Sequence, residues 1–339
     1  MIGFTSKKQT RDNHMARLPY IEYLRTTSVL YIVGYWHLFT YTRYFREYFN
    51  PYTNVVTLGV LALFVFVSGF LLSRSYENQK GIVHFYLRRV VRIYPLYALA
   101  VLTFWLMTIE KESTLIKSLY FVSMLDGPAP ITLWFICMLM LLYLITPVLM
   151  LLLRFRFGIP VFAATVVGLL LVLSKTKGGI DLRLVLYFPC FCAGIYCAKR
   201  GFKGEILNIW TGFLLILMGL AAYNLRGFSR ELNALFQVPL TLGLSVFVVA
   251  MCDRYQSVFV YNRAITFLSY ASFSLYLFHR PVYTQLKRFY FPEQLSHQFL
   301  YLLLVGLPLA IIISWLLQKI YDELYFWAVN ARTPARTVK

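Results

Sequence analysis

Long apolar stretches recur along the sequence and limit what the chain can fold into. Two of them, TLGVLALFVFVSGFLL and FLYLLLVGLPLAIIISWLL, contain no charged residue. A helix that crosses a bilayer needs about 20 mainly apolar residues, so stretches of this length exceed what the core of a soluble domain requires. Charged residues make up 14% of the 339-residue chain, against about 25% in a typical soluble protein. The sequence therefore predicts an all-α, polytopic integral membrane bundle.

The apolar stretches predict about ten transmembrane helices. A shorter apolar segment at 114–125 precedes the fourth and is expected to be a re-entrant or interfacial helix. No linker or repeat divides the series, so we predict one transmembrane domain at 20–320, flanked by tails at 1–19 and 321–339. The predicted spans lie near residues 20–42, 55–73, 94–109, 132–153, 158–174, 183–198, 207–224, 235–252, 264–282 and 299–318.

The distribution of Lys and Arg predicts the orientation. If the N-terminus is inside, 20 of the 33 basic residues fall in cytoplasmic segments and 12 on the opposite side, with Arg25 at the head of the first span. This bias favours a multi-pass protein of the cell membrane with both termini in the cytoplasm. The net charge of +19 then reflects topology and attraction to membrane lipids or phosphate, and no nucleic-acid partner is expected. The N-terminal residues lack the apolar core and cleavage site of a signal peptide, so the first span is expected to remain as an anchor.

The first span carries ionisable residues, which are costly in a membrane and tend to mark function. Glu22 and Arg25 are three positions apart and can neutralise each other on one helix face, although Arg25 also fits a snorkelling residue at the cytoplasmic end. His37 lies about 18 Å further along a regular helix, towards the outer leaflet. It is either a functional group or a residue that hydrogen-bonds between helices.

A cluster of arginines occupies the second cytoplasmic connection. Arg88, Arg89 and Arg92 lie in the stretch HFYLRRVVRIYPLYAL, which Pro95 ends or redirects. Guanidinium groups bind phosphate in charge-assisted, bidentate geometry. The alternative is an ordinary positive anchor for lipid head groups.

Three further features complete the pattern. Gly69, after Ser68 in the second span, allows two helices to approach closely, and Trp134 lies where interfacial aromatic residues gather. His279, in FLSYASFSLYLFHRPVY, falls at the outer end of the ninth predicted span, at a depth similar to that of His37. The five cysteines lie in or beside spans without a His or carboxylate cluster, so no metal site is predicted.

Taken in order, five stretches resemble the membrane-bound acyltransferase 3 family of O-acyltransferases that modify surface polysaccharides. YIEYLR resembles the family's acid-x-x-Arg, with Glu22 where Asp is usual, and FVFVSGFLLS resembles its FFxLSGF segment. FYLRRVVRIYPLY matches its arginine motif, with Arg89 and Arg92 as the paired arginines. LWFICMLMLLYLITPVL and SYASFSLYLFHRPV resemble its Trp-Phe span and its late SYSLYLxHxP signature.

The resemblance implies an acyl-CoA donor, most often acetyl-CoA, which arrives from the cytoplasm, and a glycan or lipid-linked sugar as acceptor. The residues it assigns are Arg88, Arg89 and Arg92 to the CoA phosphates and His37, with Arg25 and Glu22, to catalysis. His37 would serve as general base or as transient acyl carrier, and the sequence leaves both open. His279 and Trp134 are expected to line the acceptor side. Some family members carry an additional extracytoplasmic domain. This sequence ends shortly after the tenth predicted span, so a stand-alone form is expected here. Transfer would then be direct or be completed by a separate extracytoplasmic protein.

One spacing departs from the family pattern. Eleven residues separate Arg25 from His37, one more than the family has. On a regular helix the family spacing leaves the two side chains about 20° apart, whereas the extra residue leaves them about 120° apart. Either a π-bulge near Gly34 absorbs it, the two residues need not share a face, or Arg25 is not the motif arginine.

Two rival functions stay open on the sequence alone. A transporter or flippase for a lipid-linked glycan would also use buried Arg and His, although the chain has no internal repeat and no paired broken helices. An inactive scaffold is disfavoured because the histidine and the arginine motif are both intact.

Overall fold

The computed structural model describes residues 18–42, 46–76, 81–223 and 227–331, and within these ranges it contains helices and no strand. The predicted all-helical fold is confirmed. The α-helices are α1 Pro19–Tyr31, α2 Leu38–Tyr41, α3 Pro51–Tyr76, α4 Ile82–Leu106, α5 Glu112–Leu119, α6 Trp134–Leu152, α7 Gly158–Lys177, α8 Arg183–Arg200, α9 Ile209–Tyr223, α10 Arg230–Arg254, α11 Arg263–Phe289, α12 Leu295–Tyr301 and α13 Leu307–Ala331.

Six helical segments of the described chain are long and apolar enough to cross a membrane. The other four predicted spans fall on α1 with α2, on α8, on α9 and on α11, which are shorter or more polar, so the count of ten is not established by length and composition. The six segments are Pro51–Tyr76, Ile82–Leu106, Trp134–Leu152, Gly158–Lys177, Arg230–Arg254 and Leu295–Trp327.

The shorter and more polar helices lie alongside long ones. The rings of Trp134 and Tyr187 stack near the start of α6 and α8, and Arg200 at the end of α8 donates to the carbonyl of Leu153. α8 therefore runs parallel to α6 over the full length of α6. α9 lies antiparallel to α10, because Gly212 packs on Phe247 while Gly219, two turns later, packs on Leu240.

α1, α11 and α13 form a second set of aligned helices. Contacts from Arg25 to Ser272, His37 to His279 and Tyr41 to Thr284 follow the same order on α1–α2 and on α11, so these helices are parallel. α11 is antiparallel to α13. This follows from the bonds of Ser274 to Gln318 and of Tyr270 to Asp322.

Glycines allow a close approach between α3 and α8. A Cβ on Gly194 would collide with the carbonyl oxygen of Phe66, and a Cβ on Gly69 with that of Phe191. The prediction that Gly69 permits close helix approach is confirmed.

The first span is interrupted by a π-helical turn at Ile32–His37 between α1 and α2. Of the three alternatives that the spacing left open, the π-bulge is therefore present, and it includes Gly34. A π-turn adds one residue without breaking the helix, so the extra residue between Arg25 and His37 is absorbed where the spacing indicated.

The terminal tails are described only in part. Residues 1–17 of the predicted tail at 1–19, and residues 332–339 of the tail at 321–339, lie outside the described ranges. α13 continues to Ala331, so the helix extends beyond the predicted end of the domain. The segment at 114–125, predicted as re-entrant or interfacial, overlaps α5 and contains a short 3₁₀ turn at Val122–Met124.

Candidate active site

A cavity of about 820 Å³ opens between α1, α3, α4, α6, α11 and α13. Its polar lining comes from the N-terminal parts of α1, α4 and α11 and from the C-terminal parts of α3 and α13, which meet at one end of the bundle. The residues that line it are Glu22, Arg25, Phe64, Val67, Ser68, Leu71, Leu72, Ser75, Arg88, Arg89, Arg92, Ile93, Phe135, Ile136, Leu139, Tyr143, Thr266, Ser269, Tyr270, Ser272, Phe273, Tyr276, Gln318, Tyr321, Asp322 and Tyr325.

Four arginines share this cavity. Arg88, Arg89 and Arg92 come from the first turns of α4, and Arg25 joins them from α1. Nη2 of Arg89 donates a 2.8 Å hydrogen bond to Oγ of Ser75, whereas its buried Nε has no partner among the described residues. The cluster predicted from the sequence is thus assembled around one space.

Two carboxylates also line the cavity, and both accept hydrogen bonds from uncharged side chains. Glu22 accepts from Thr266 at 2.7 Å, and Asp322 accepts from Tyr270 at 2.6 Å. The ion pairs found in the described part of the chain lie elsewhere. Four guanidinium groups against two carboxylates leave an excess of positive charge, which suits a polyanionic ligand.

Arg25 is oriented by α11 and not by Glu22. Its Nη2 donates a 2.9 Å hydrogen bond to Oγ of Ser272. Glu22 and Arg25 form no ion pair within the described part of the chain, because each is bonded to a different hydroxyl of α11. Ser272 and Ser274 of α11 both bond across helices, to Arg25 and to Gln318.

His37 and His279 form a pair. Nδ1 of His37 lies 2.8 Å from Nε2 of His279, and the two rings are parallel, with centroids 4.9 Å apart. Nδ1 of His279 lies 3.1 Å from the carbonyl oxygen of Leu275, one turn earlier on α11. His279 is fully buried and His37 half-buried.

Tyr276 separates the histidine pair from the cavity. It lines the cavity, and its ring centroid is 6.1 Å from that of His279. Its hydroxyl donates to the carbonyl oxygen of Thr132 at 2.9 Å, while neither His37 nor His279 is among the described residues that line the cavity. The sequence reasoning missed Tyr276, although its position three residues before His279 would place both on one face of α11.

Trp134 lies away from the cavity lining. The guanidinium of Arg183 is 4.0 Å from the centroid of its ring, and the ring stacks on Tyr187. Asp181 in turn accepts from Arg183. Trp134 is therefore held in a cation–π and stacking arrangement, and its place on the acceptor side stays a prediction.

Comparison with known families matches almost the whole chain to one of them. The family described as "Acyltransferase domain" matches residues 18–319. The chain belongs to the acyltransferase 3 family. No curated protein and no solved structure matches it. Membership of the acyltransferase 3 family, together with the apolar helices, makes the chain a membrane acyltransferase in general terms. Of the site residues that the resemblance assigned, the four arginines and Glu22 line the cavity, His37 and His279 form the histidine pair, and Trp134 does neither.

Proposed function

We propose that this protein is an O-acyltransferase that moves an acyl group, most often acetyl, from cytoplasmic acyl-CoA to a hydroxyl of a surface or lipid-linked glycan. One observation carries this proposal. Tyr276 lines the cavity that holds the arginines, and His279 of the histidine pair follows one helical turn later on α11, with the two ring centroids 6.1 Å apart. Acyl-CoA bound in the cavity and the histidine that accepts the proton would thus lie on either side of Tyr276.

The arginines are suited to hold the donor phosphates. Arg88 and Arg92 lie one turn apart on α4, so their guanidinium groups can bind one phosphate group from two sides. Arg25 lies deeper in the bundle, on α1. The lining also includes apolar side chains, among them Val67, Ile136 and Leu139, which fit the uncharged arm that carries the thioester.

His37 is the group we assign to the chemistry. As the acceptor hydroxyl attacks the thioester carbonyl, an imidazole nitrogen of His37 takes the hydroxyl proton. The carbon–sulfur bond breaks, the ester forms, and the CoA thiolate leaves and gains a proton. In the covalent alternative the imidazole first takes the acyl group itself and then passes it to the hydroxyl.

The acceptor would enter from the opposite, outer side of the bundle. Trp134 and His279 are assigned to that side on the family resemblance, and a separate extracytoplasmic transferase could receive the acyl group there. Catalysis is assigned to protein side chains without a metal ion.

We further propose ten membrane crossings in the cell membrane, with both termini in the cytoplasm. The four helices that length and composition leave open each run alongside another helix of the bundle: α8 beside α6, α9 beside α10, α11 beside α13, and α1 beside α11. Because α6, α10 and the α12–α13 segment are candidate spans, their neighbours would cross the same thickness. The excess of basic residues on one side supports the orientation, and a reporter fused to each terminus tests it.

Acyl transfer is tested with purified protein in lipid nanodiscs, acetyl-labelled acetyl-CoA and a glycan acceptor. We expect release of free CoA and label on the glycan with the wild type, and neither with His37→Ala. His297→Ala is the matched control, because His297 is exposed on α12 and outside the site. Label that accumulates on the protein without acceptor would indicate the covalent route. Glycan transport without thioester consumption would contradict the proposal.

The donor site is tested by binding of CoA. Arg89→Gln with Arg92→Gln is expected to weaken CoA binding at least tenfold, because charge-assisted bonds contribute about 1.5–3 kcal/mol each. Arg154→Gln with Arg156→Gln removes the same charge from an exposed loop and is the control. If the two double variants bound CoA with equal affinity, the arginine cluster would not be part of the donor site.

A further inference from the structure

We propose that His279 is a positioning residue that fixes the tautomer of His37, so that Nε2 of His37 carries the reactive lone pair. The inference rests on the proposed function, and it changes the expected role of His279. The sequence placed this residue against the acceptor, whereas its ring nitrogens are both engaged inside the protein.

The carbonyl oxygen of Leu275 fixes the position of the first proton. A carbonyl oxygen can only accept a hydrogen bond, so Nδ1 of His279, 3.1 Å away, carries a proton. A neutral imidazole bears one N–H, and Nε2 of His279 is then the acceptor nitrogen. Nδ1 of His37, 2.8 Å from it, must donate. The remaining nitrogen of His37 is Nε2, which has the free lone pair.

The opposite assignment requires an unfavourable group. If Nε2 of His279 donated instead, a neutral His279 would turn the lone pair of Nδ1 towards the Leu275 carbonyl. A His279 protonated on both nitrogens would place a positive charge on a fully buried ring next to the buried Arg280, and burial of like charges together is costly. The arrangement in which His37 donates to His279 and His279 donates to the Leu275 carbonyl avoids both costs.

The outer nitrogen of His37 is the one left for chemistry. Nε2 of His37 has no hydrogen-bond partner among the described residues, yet it is not among the buried unpaired atoms. When it accepts the acceptor's proton, the resulting imidazolium keeps its Nδ1–H bond to His279. The parallel rings and the π-helical turn that ends at His37 hold this geometry.

The tautomers can be measured without any substrate. The chain has five histidines, so ¹⁵N-histidine labelling in lipid bilayers gives a solid-state NMR spectrum simple enough to assign with His37→Phe and His279→Phe. At neutral pH we expect both rings of the pair to carry their proton on Nδ1. The free imidazole prefers the other tautomer. A proton on Nε2 of either ring would overturn the proposal, whatever the enzyme turns out to transfer.

Kinetics separate positioning from a structural role. His279→Gln can present its amide oxygen near the position of the histidine Nε2, whereas His279→Phe fills the space without an acceptor. We expect kcat to fall about 100-fold in His279→Phe, at the upper end for loss of a residue that orients a ligand or base, and less than tenfold in His279→Gln, with the KM for acetyl-CoA unchanged in both. Equal loss of kcat in two folded variants would contradict the proposal. If the wild type showed the expected tautomers but no acyl transfer, the proposed function alone would be contradicted.

Discussion

Arg25 donates a hydrogen bond of 2.9 Å to Ser272, a residue 247 positions away in the sequence. The bond joins α1 to α11 beside the cavity, and the π-helical turn that continues α1 meets α11 again at His37 and His279. The orientation of the donor arginine and that of the histidine are therefore set by one helix pair.

The contribution of Ser272 can be measured directly. Ser272→Ala leaves the guanidinium of Arg25 without its partner on α11, so we expect the KM for acetyl-CoA to rise about fivefold, which corresponds to about 1 kcal/mol for one hydrogen bond. kcat should change little. Ser174→Ala, which removes a bond between α7 and Glu231 far from the cavity, is the control, and an unchanged KM in Ser272→Ala would rule out this role.

The π-helical turn predicts that the first span tolerates deletion of one residue. Tyr35 is the exposed residue of this turn, with 47% of its surface accessible. Deletion of Tyr35 should convert the turn to regular α-helix and leave Arg25 and His37 on one face, about 20° apart. We expect the deletion variant to keep acyl-transfer activity within about tenfold, the loss coming from its ring contacts with Tyr31 and Phe39.

Insertion is the matched test of the same geometry. One alanine inserted after Tyr35 would rotate His37 by about 100° relative to Arg25 if the helix stayed regular beyond it, and would separate it from His279. Activity should disappear while the protein still enters the membrane. An inactive deletion variant together with an active insertion variant would contradict the interpretation of the turn.

The same turn marks the limit of sequence reasoning in this chain. The arginine cluster was predictable because it is local in the sequence, and helix geometry gave the bulge near Gly34 as one of three alternatives. The hydrogen bond that Glu22 accepts from Thr266 could not be predicted from the sequence. An acid three positions from an arginine indicates a pair on an isolated helix, but a neighbouring helix that offers hydroxyl groups to both changes the outcome. The partner of His37 was likewise unpredictable, since no local pattern gives the packing of α1 on α11.

The crossing of α3 and α8 allows a stability prediction. Gly194→Ala would drive a methyl group into the Phe66 carbonyl and within 3.0 Å of the Phe70 nitrogen, and backbone atoms cannot move aside as a side chain can. We expect a loss of about 1–3 kcal/mol, as for other overpacked sites, seen as a lower apparent Tm in detergent. Gly168→Ala on α7 is the control, because nothing lies within 4 Å of its added Cβ, and it should be neutral or slightly stabilising. Equal Tm values would mean that α3 and α8 are not in close contact.

Tyr276 gives a prediction about acyl-chain length. Its buried ring lies between the cavity and His279, with its hydroxyl fixed on the Thr132 carbonyl, so it limits the space for the acyl group where the thioester would approach His37. Tyr276→Ala should favour longer donors, because each CH₂ that finds apolar contact contributes about 0.8 kcal/mol. We expect the ratio of kcat/KM for butyryl-CoA to that for acetyl-CoA to rise at least tenfold. Tyr276→Phe keeps the ring and loses only the hydrogen bond, and should leave the ratio within about threefold of wild type. A ratio that shifts equally in both variants would show that the hydroxyl, and not the volume of the ring, selects the donor.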